Sequence, residues 1–296
     1  MSTQVSDAPA VVLSSWRRKV AGLPEPGVYD EMPSEEYHRS PALSASGMGK
    51  ILDPGCPALF RYEREHPAPP SKVFDFGHAA HRLVLGAGEE IAIIDAPDYK
   101  TDAARSDRDW ARGQGLIPML PEEFAKAKAM ADAVRSHPLA SALFQGGRPK
   151  QSLFWEDPRT GVPLRARLDW LSDKGASRLV VADYKTITAV DLDTIEKSIA
   201  KYNYHVQNAQ YVEGTTRLGL GGEDTAMVFV FQAKTPPYLV RTVQLDMDTA
   251  RIGRAKRRAA IDVFRDCMKS GHWPGYDDTT YASLPIWAEK RDEEYL

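Results

Sequence analysis

Apolar and polar residues alternate along two central stretches of the chain, residues 164–171 and 179–186. This alternation is typical of β-strands, because successive side chains of a strand point to opposite faces of the sheet. Shorter apolar runs at residues 152–156, 226–233 and 238–244 predict three further strands. The predicted strands are therefore concentrated in the middle and later parts of the chain.

Apolar residues at helical spacing predict helices before and after these strands. The predicted helices begin near residue 44, at 74–85, at 121–144 with an interruption near Pro138, at 192–201, at 204–218 and at 248–269. Strand runs flanked by helices predict the α/β fold class, with a mixed central β-sheet that carries helices on both faces.

The two central strands place charged side chains where they can meet. Asp169 and Arg167 lie on the polar face of the first strand, while Asp183 and Lys185 share one face of the second and Tyr184 takes the other. Mg²⁺ prefers carboxylate oxygens together with water and substrate phosphate, and a nearby lysine can orient or deprotonate the attacking water. The pattern outlines a site for phosphodiester hydrolysis, although an Asp-x-Lys triplet alone also fits a solvated strand end.

Seven motifs occur in one order over residues 27–276. They are GVYD at 27–30, LSAS at 43–46, FGHAAH at 76–81, RLDW at 167–170, DYK at 183–185, YHVQNAQY at 204–211 and WPGY at 273–276. In this order the chain resembles the PD-(D/E)xK nuclease superfamily, and within it the RecE-like phage and prophage exonucleases similar to exodeoxyribonuclease VIII. The resemblance implies a restriction-endonuclease-like core.

The resemblance also implies a metal site. Its metal ligands are His81, Asp169 and Asp183, helped by the backbone carbonyl of Tyr184, and Lys185 matches the catalytic lysine. Mg²⁺ is the expected cofactor, in a pair of ions, and an imidazole among the ligands suits Mn²⁺ as well. An ordinary structural role for His81 is the alternative.

Other positions match the family around this site. Gln207 and Tyr211, spaced to share one helix face, correspond to a Gln-x-x-x-Tyr motif tied to DNA or to support of the site, although core packing explains Tyr211 equally well. Ser46 corresponds to a serine that helps hold a 5′ phosphate, and simple helix capping is the alternative for both Ser44 and Ser46. Gln151 stands where relatives usually carry a glutamate, which puts a two-metal arrangement in doubt.

The charge of the chain restricts how it can contact DNA. A formal net charge of −3 and a pI near 6.2 do not fit a protein that coats nucleic acid through bulk charge. Contacts must be local, and besides Arg167 the candidates are Lys100 and Arg105, in a basic segment at 100–112 that we interpret as a mobile loop near the site. A second basic stripe on the last helix, which includes Arg258, fits a solvated face better.

Composition excludes several other classes. The two cysteines, Cys56 and Cys267, cannot hold a four-cysteine iron–sulfur cluster, and the absence of a glycine-rich phosphate loop argues against ATP use. No apolar stretch is long enough for a membrane span, so we expect a soluble protein in the cytoplasm of a bacterial host. The predicted organisation is a variable extension at 1–26, one exonuclease domain at 27–285 and a tail at 286–296.

Three functions are compatible with these features. The first is a metal-dependent exonuclease that degrades linear double-stranded DNA from 5′ ends and leaves 3′ single strands for recombination. The resemblance then implies a homo-oligomer and a RecT-like single-strand annealing partner. The second is a structure-specific or restriction-like endonuclease, which would also cut circles. The third is a catalytically silent DNA-binding module, and only Gln151 favours it.

Overall fold

The computed structural model describes residues 22–52, 54–67, 72–173, 178–222, 224–276 and 279–296. The first 21 residues of the predicted N-terminal extension lie outside this set. Among the described residues the strands are β1 (Gly27–Tyr29), β2 (Ile91–Ile93), β3 (Ile117–Met119), β4 (Gly147–Glu156), β5 (Pro163–Ser172), β6 (Val180–Ile187), β7 (Ala226–Ala233) and β8 (Val240–Val243).

Helices occupy most of the remaining described chain. They are α1 (Ser34–Arg39), α2 (Ala45–Ile51), α3 (Pro57–Glu65), α4 (Lys72–Leu85), α5 (Asp102–Gly113), α6 (Pro121–Ser136), α7 (Pro138–Leu143), α8 (Leu192–Lys201), α9 (Tyr204–Arg217), α10 (Met247–Ser270) and α11 (Ile286–Asp292). A short 3-10 helix follows at Glu293–Tyr295. In the described part of the chain, no helix is both long enough and apolar enough to span a membrane.

Six strands form one mixed sheet in the order β1-β4-β5-β6-β7-β8. Only β6 and β7 are parallel, and the other neighbours are antiparallel. A separate parallel pair joins β2 and β3. The predicted fold class, a mixed central sheet flanked by helices, is confirmed.

Both faces of the sheet are covered, and β7 shows how. All eight of its residues are buried, as expected for a central strand of an α/β sheet. Phe229 and Phe231 pack on one face with apolar residues of α9 and α10. Val230 points to the other face, where it packs with Ala80 of α4 and Val134 of α6.

The prediction of a mobile loop at residues 100–112 is wrong. Residues 102–113 form helix α5. Thr101 caps its N-terminus, because the Thr101 side chain accepts a hydrogen bond from the Ala104 backbone N–H at 3.2 Å. The helix has few apolar residues, so its periodicity gave little signal, but Ala104 and Ala111 are buried one above the other. Elsewhere, β4 extends five residues further toward the N-terminus than predicted, and β8 is shorter.

Asp157, directly after β4, is a buried carboxylate that anchors the last long helix. It accepts hydrogen bonds from Thr160 N–H at 3.0 Å and from Arg258 Nη1 at 2.9 Å, and Arg258 Nη2 contacts its other oxygen. Burial alone would raise the pKa of Asp157, but Arg258 and Thr160 lower it to about 2. Arg258 therefore serves as the partner of a buried group rather than as part of a solvated basic face.

We expect Asp157→Ala to lower the free energy of unfolding by about 3 kcal/mol, measured by urea denaturation, because it leaves Arg258 without its buried partner. The matched control is Asp193→Ala on α8, where an exposed pair with Lys197 contributes less than about 0.5 kcal/mol.

The same carboxylate predicts a pH dependence. Its pKa is lower in the folded chain than the ordinary 3.8, so it stabilises the fold above that pH and loses this contribution as the pH falls toward about 2. The difference in unfolding free energy between the unmodified chain and Asp157→Ala should therefore shrink between pH 4 and pH 2. A difference that stays constant over this range would contradict the assignment.

Candidate metal centre

The two central strands separate at the point where the acidic residues lie. β5 and β6 pair only at Trp170–Ala182 and Leu171–Val181, so Asp169 and Asp183 stand just beyond the last paired residues. The carboxylate of Asp169 enters this gap and accepts a hydrogen bond from the Tyr184 backbone N–H at 3.0 Å. It therefore satisfies a backbone group that β5 leaves without a ladder partner.

His81 reaches the same carboxylate from α4, on the other side of the gap. Its Nδ1 lies 3.3 Å from Asp169 Oδ2, is buried and makes no hydrogen bond with any of the described residues. Neighbouring ligand atoms of an octahedral ion with bonds of about 2.1 Å stand roughly 3 Å apart. The buried nitrogen and the carboxylate oxygen thus fit two adjacent ligands of one divalent cation.

Each of the two carboxylates is paired with a lysine. Lys185 Nζ lies 2.6 Å from Asp183 Oδ2, and Lys150 Nζ lies 2.7 Å from Asp169 Oδ1. Sequence reasoning missed Lys150, because β4 was predicted to begin only at residue 152. The antiparallel register, with Gln151 opposite Leu168, places Lys150 across from Asp169.

The pKa values reflect this packing of charges. Burial would raise the pKa of Asp169, but Lys150 and His81 hold it well below its usual range. Burial, together with the neighbouring Asp169, raises the pKa of Asp183. Burial would lower the pKa of Lys185, yet Asp183 raises it above its ordinary value. The pKa of Asp169 is thus lowered and that of Asp183 is raised, although a lysine lies beside each carboxylate.

The groups that could hold a divalent ion are those that the resemblance implied, His81, Asp169 and Asp183, with the Tyr184 carbonyl as a further prediction. Across the described residues, no three His, Cys, Asp or Glu side chains are already drawn together as a ligand set. Lysines pair with both carboxylates instead. An incoming ion would therefore compete with ammonium groups for the same oxygens.

Helix α9 supports the site from the opposite side. Gln207 Nε2 donates to Asp183 Oδ1 at 2.7 Å, and the Tyr211 hydroxyl donates to the Arg167 backbone carbonyl at 2.8 Å. The two positions that were expected to share a helix face therefore contact the two central strands. Tyr211 also packs against the main apolar core, so both of its predicted roles are compatible with the structure.

A pocket of about 420 Å³ opens beside the carboxylates. Its cationic and hydroxyl lining comes from Lys150, Lys185, Arg165, Arg167, Ser44 and Ser46. Ser44 caps α2 by accepting from the Gly47 backbone N–H, and its Oγ lies 3.1 Å from Ser46 Oγ. A pocket with these donors is suited to phosphate groups.

Two predicted DNA contacts do not line this pocket. Lys100 pairs with Asp98 at 2.8 Å, and Arg105 pairs with Asp102 in the first turn of α5. Both cations thus have acidic partners within their own segment, and their contact with DNA stays a prediction. Gln151 is also absent from the lining; its amide donates to the Pro149 carbonyl at 2.9 Å.

Comparison with known proteins finds a matching family model and similar solved structures. A family model described as PDDEXK-like domain of unknown function (DUF3799) matches residues 44–283. No curated protein matches the chain. Among solved structures, a putative exonuclease from Eubacterium rectale has a TM-score of 0.57 at 12% identity, over 87% of this chain and 97% of that one.

A second solved structure, SSO0001, matches at a TM-score of 0.27 and 14% identity, over 64% of this chain and 85% of that one. That likeness is too weak to carry an argument. The Eubacterium rectale structure shows the fold. Together with the family match it confirms the PDDEXK-like core that the motifs predicted.

Proposed function

The chain belongs to the family of PDDEXK-like domains DUF3799, and from this premise we propose that it is a Mg²⁺-dependent exodeoxyribonuclease. It degrades linear double-stranded DNA from 5′ ends and leaves 3′ single strands for recombination. The observation that carries the proposal is the meeting of His81 Nδ1 and Asp169 Oδ2 at 3.3 Å beside the Asp183–Lys185 pair. The polarity and the substrate rest on the RecE-like resemblance.

Each residue of the site has its own role in the proposed hydrolysis. A bound divalent ion supplies Lewis acidity and lowers the pKa of bound water. Lys185 orients the attacking water and balances the charge that develops on the phosphate. Gln207 fixes the orientation of Asp183 through its 2.7 Å hydrogen bond, and Tyr211 fixes the β5 backbone next to Asp169 through the Arg167 carbonyl.

The cationic pocket is where we place the DNA end. Ser46, in the first turn of α2, binds the 5′ phosphate together with Arg165, since both line the pocket that contains Asp169 and Lys185. Arg165 and Arg167 lie over the Tyr37 ring at 4.7 and 5.5 Å, which holds both guanidinium groups at the pocket wall. Lys100 and Arg105 are proposed only as outer contacts for the duplex.

Digestion of end-labelled DNA tests this function. With Mg²⁺ or Mn²⁺, a linear duplex with 5′ phosphates should be consumed from its 5′ ends, while a covalently closed circle of the same sequence survives and EDTA stops the reaction. Cutting of the circle would indicate the endonuclease instead. No degradation with either ion would favour the silent DNA-binding module, for which the neutral Gln151 is the supporting feature.

The resemblance adds partners to the proposal. We infer a ring-like homo-oligomer that encloses DNA and a RecT-like annealing protein that receives the 3′ strands in the cytoplasm of a bacterial host. A mass from light scattering equal to that of a single chain, both alone and with a DNA end, would contradict the ring.

A further inference from the structure

Lys150 brings a second ammonium group into the candidate metal centre. Its Nζ lies 2.7 Å from Asp169 Oδ1, and only 21% of its side chain is exposed. Lys185 makes the equivalent pair with Asp183. The four groups therefore neutralise one another before any divalent ion binds, which changes how many ions the site can accept.

The backbone at Lys150 is strained. Its φ of 52° lies in the left-handed region, which residues with a side chain rarely adopt. The ladder has no pair at Lys150, but its register is the same on both sides, with Pro149 opposite Trp170 and Gln151 opposite Leu168. Lys150 therefore stands across from Asp169 and is not an inserted residue. Strain of this kind concentrates at functional sites, and here it accompanies direct contact with a candidate ligand.

Lys150 also lines three pockets, of about 420, 750 and 230 Å³. It shares the 420 Å³ pocket with Asp169 and Lys185, and the 230 Å³ pocket with His81 and Arg167. Its ammonium can therefore leave Asp169 for a phosphate in the 420 Å³ pocket without leaving the site. This position is the one expected for a group that alternates between a carboxylate and a substrate.

Gln151, the neighbour of Lys150, cannot help to hold a second ion as a charged glutamate would. Gln151 is neutral and buried, and its Oε1 makes no hydrogen bond within the part of the chain that the structure describes. With one divalent ion and one phosphodiester, four positive charges would face the three negative charges of Asp169, Asp183 and the phosphate. With two ions there would be six, and repulsion between like charges is strong in a partly buried site.

We propose that Lys150 supplies, from the chain itself, the positive charge that a second divalent ion would supply, so that the site takes one ion and Lys150 binds a substrate phosphate. This inference rests on the proposed nuclease function for the identity of the phosphate. It replaces the pair of ions expected from the sequence.

The number of bound ions tests the inference without any turnover. Calorimetric and electron paramagnetic resonance titration of the full chain with Mn²⁺ should give one ion. Lys150→Gly, which suits the left-handed backbone, should bind the first ion about tenfold more tightly because no ammonium competes for Asp169, and should admit a second. Lys150→Asn, which also tolerates this backbone, should behave like Lys150→Gly, and Lys150→Arg should bind one ion.

DNA binding provides a second readout. Lys150→Gly should raise the Kd for a 5′-phosphorylated duplex in Ca²⁺ about tenfold, and Lys150→Arg should restore most of the affinity. Lys197→Ala is the control, because Lys197 is exposed on α8, pairs with Asp193 within one turn and is absent from the lining of the pocket.

The outcomes separate this inference from the nuclease function. Two ions in the unmodified chain, or one ion of unchanged affinity in both Lys150→Gly and Lys150→Asn, would overturn it even if linear DNA is degraded. If the ion counts agree but DNA is neither bound nor degraded, the nuclease function fails and the one-ion site stands.

Discussion

Asp183→Asn should reduce DNA degradation by about a thousandfold or more, because the site loses a charged oxygen ligand and the partner of Lys185. The shape of the side chain is kept, and Gln207 can still donate to the amide oxygen. The substitution also leaves the largely buried ammonium of Lys185 without a charged partner, so we expect the unfolding temperature to fall while the chain still folds. Burial and the nearby Asp169 raise the pKa of Asp183, which offsets part of this loss.

The control for Asp183→Asn is a carboxylate outside the pocket. Asp193→Asn on α8 makes the same chemical change at an exposed pair with Lys197 and should leave both activity and stability intact. Initial rates on end-labelled duplex in Mg²⁺, together with thermal unfolding, give both readouts. Unchanged degradation by folded Asp183→Asn would show that the site is wrongly assigned.

Lys185→Met should lower kcat by about a hundredfold or more, with a small change in KM, because the ammonium acts on the water and on developing charge rather than on ground-state binding. The methionine keeps the length of the side chain and its contact with the Tyr204 ring, over which the ammonium lies at 4.9 Å. Divalent ion affinity should be retained or rise, since Asp183 loses a competing cation.

Single-turnover rates and Mn²⁺ titration measure these two effects separately. Lys197→Met changes an exposed lysine of α8 that pairs with Asp193 within one turn. It is the matched control and should behave as the unmodified chain. Equal losses in ion affinity and in kcat would contradict a role for Lys185 in the chemical step, since they would point to a collapsed site.

Most of what the sequence predicts about the site comes from the alternation of side chains along its two central strands. The alternation predicted defined strand faces for Asp169 and for the Asp183–Lys185 pair. On β6 the predicted parity holds, because Asp183 contacts α9 while Tyr184 packs on the other face. On β5 the alternation breaks at Asp169, since Leu168 and Leu171 both lie in the main core. Helices α8 and α9 were also located closely, because a short polar turn at Tyr202 and Asn203 separates two clear helical periods. Local patterns of this kind are readable because they depend on neighbouring residues only.

The features that the sequence did not predict depend on contacts between residues that are distant along the chain or on local backbone conformation. Lys150 faces Asp169 only because β4 pairs with β5 in one register and because its own backbone is left-handed. Helix α5 was not predicted because most of its residues are polar and only Ala104 and Ala111 of the helix are buried. Asp157 gave no signal of its partnership with Arg258, which lies 101 positions away.

The central claim is that His81, Asp169 and Asp183 hold one divalent ion at the separation of β5 and β6. Anomalous diffraction from crystals grown with Mn²⁺ tests it directly. We predict one strong peak about 2.2 Å from His81 Nδ1 and from an oxygen of each carboxylate, with Lys150 moved away from Asp169. A peak bound elsewhere, or none at this position while Mn²⁺ supports degradation, would contradict the account.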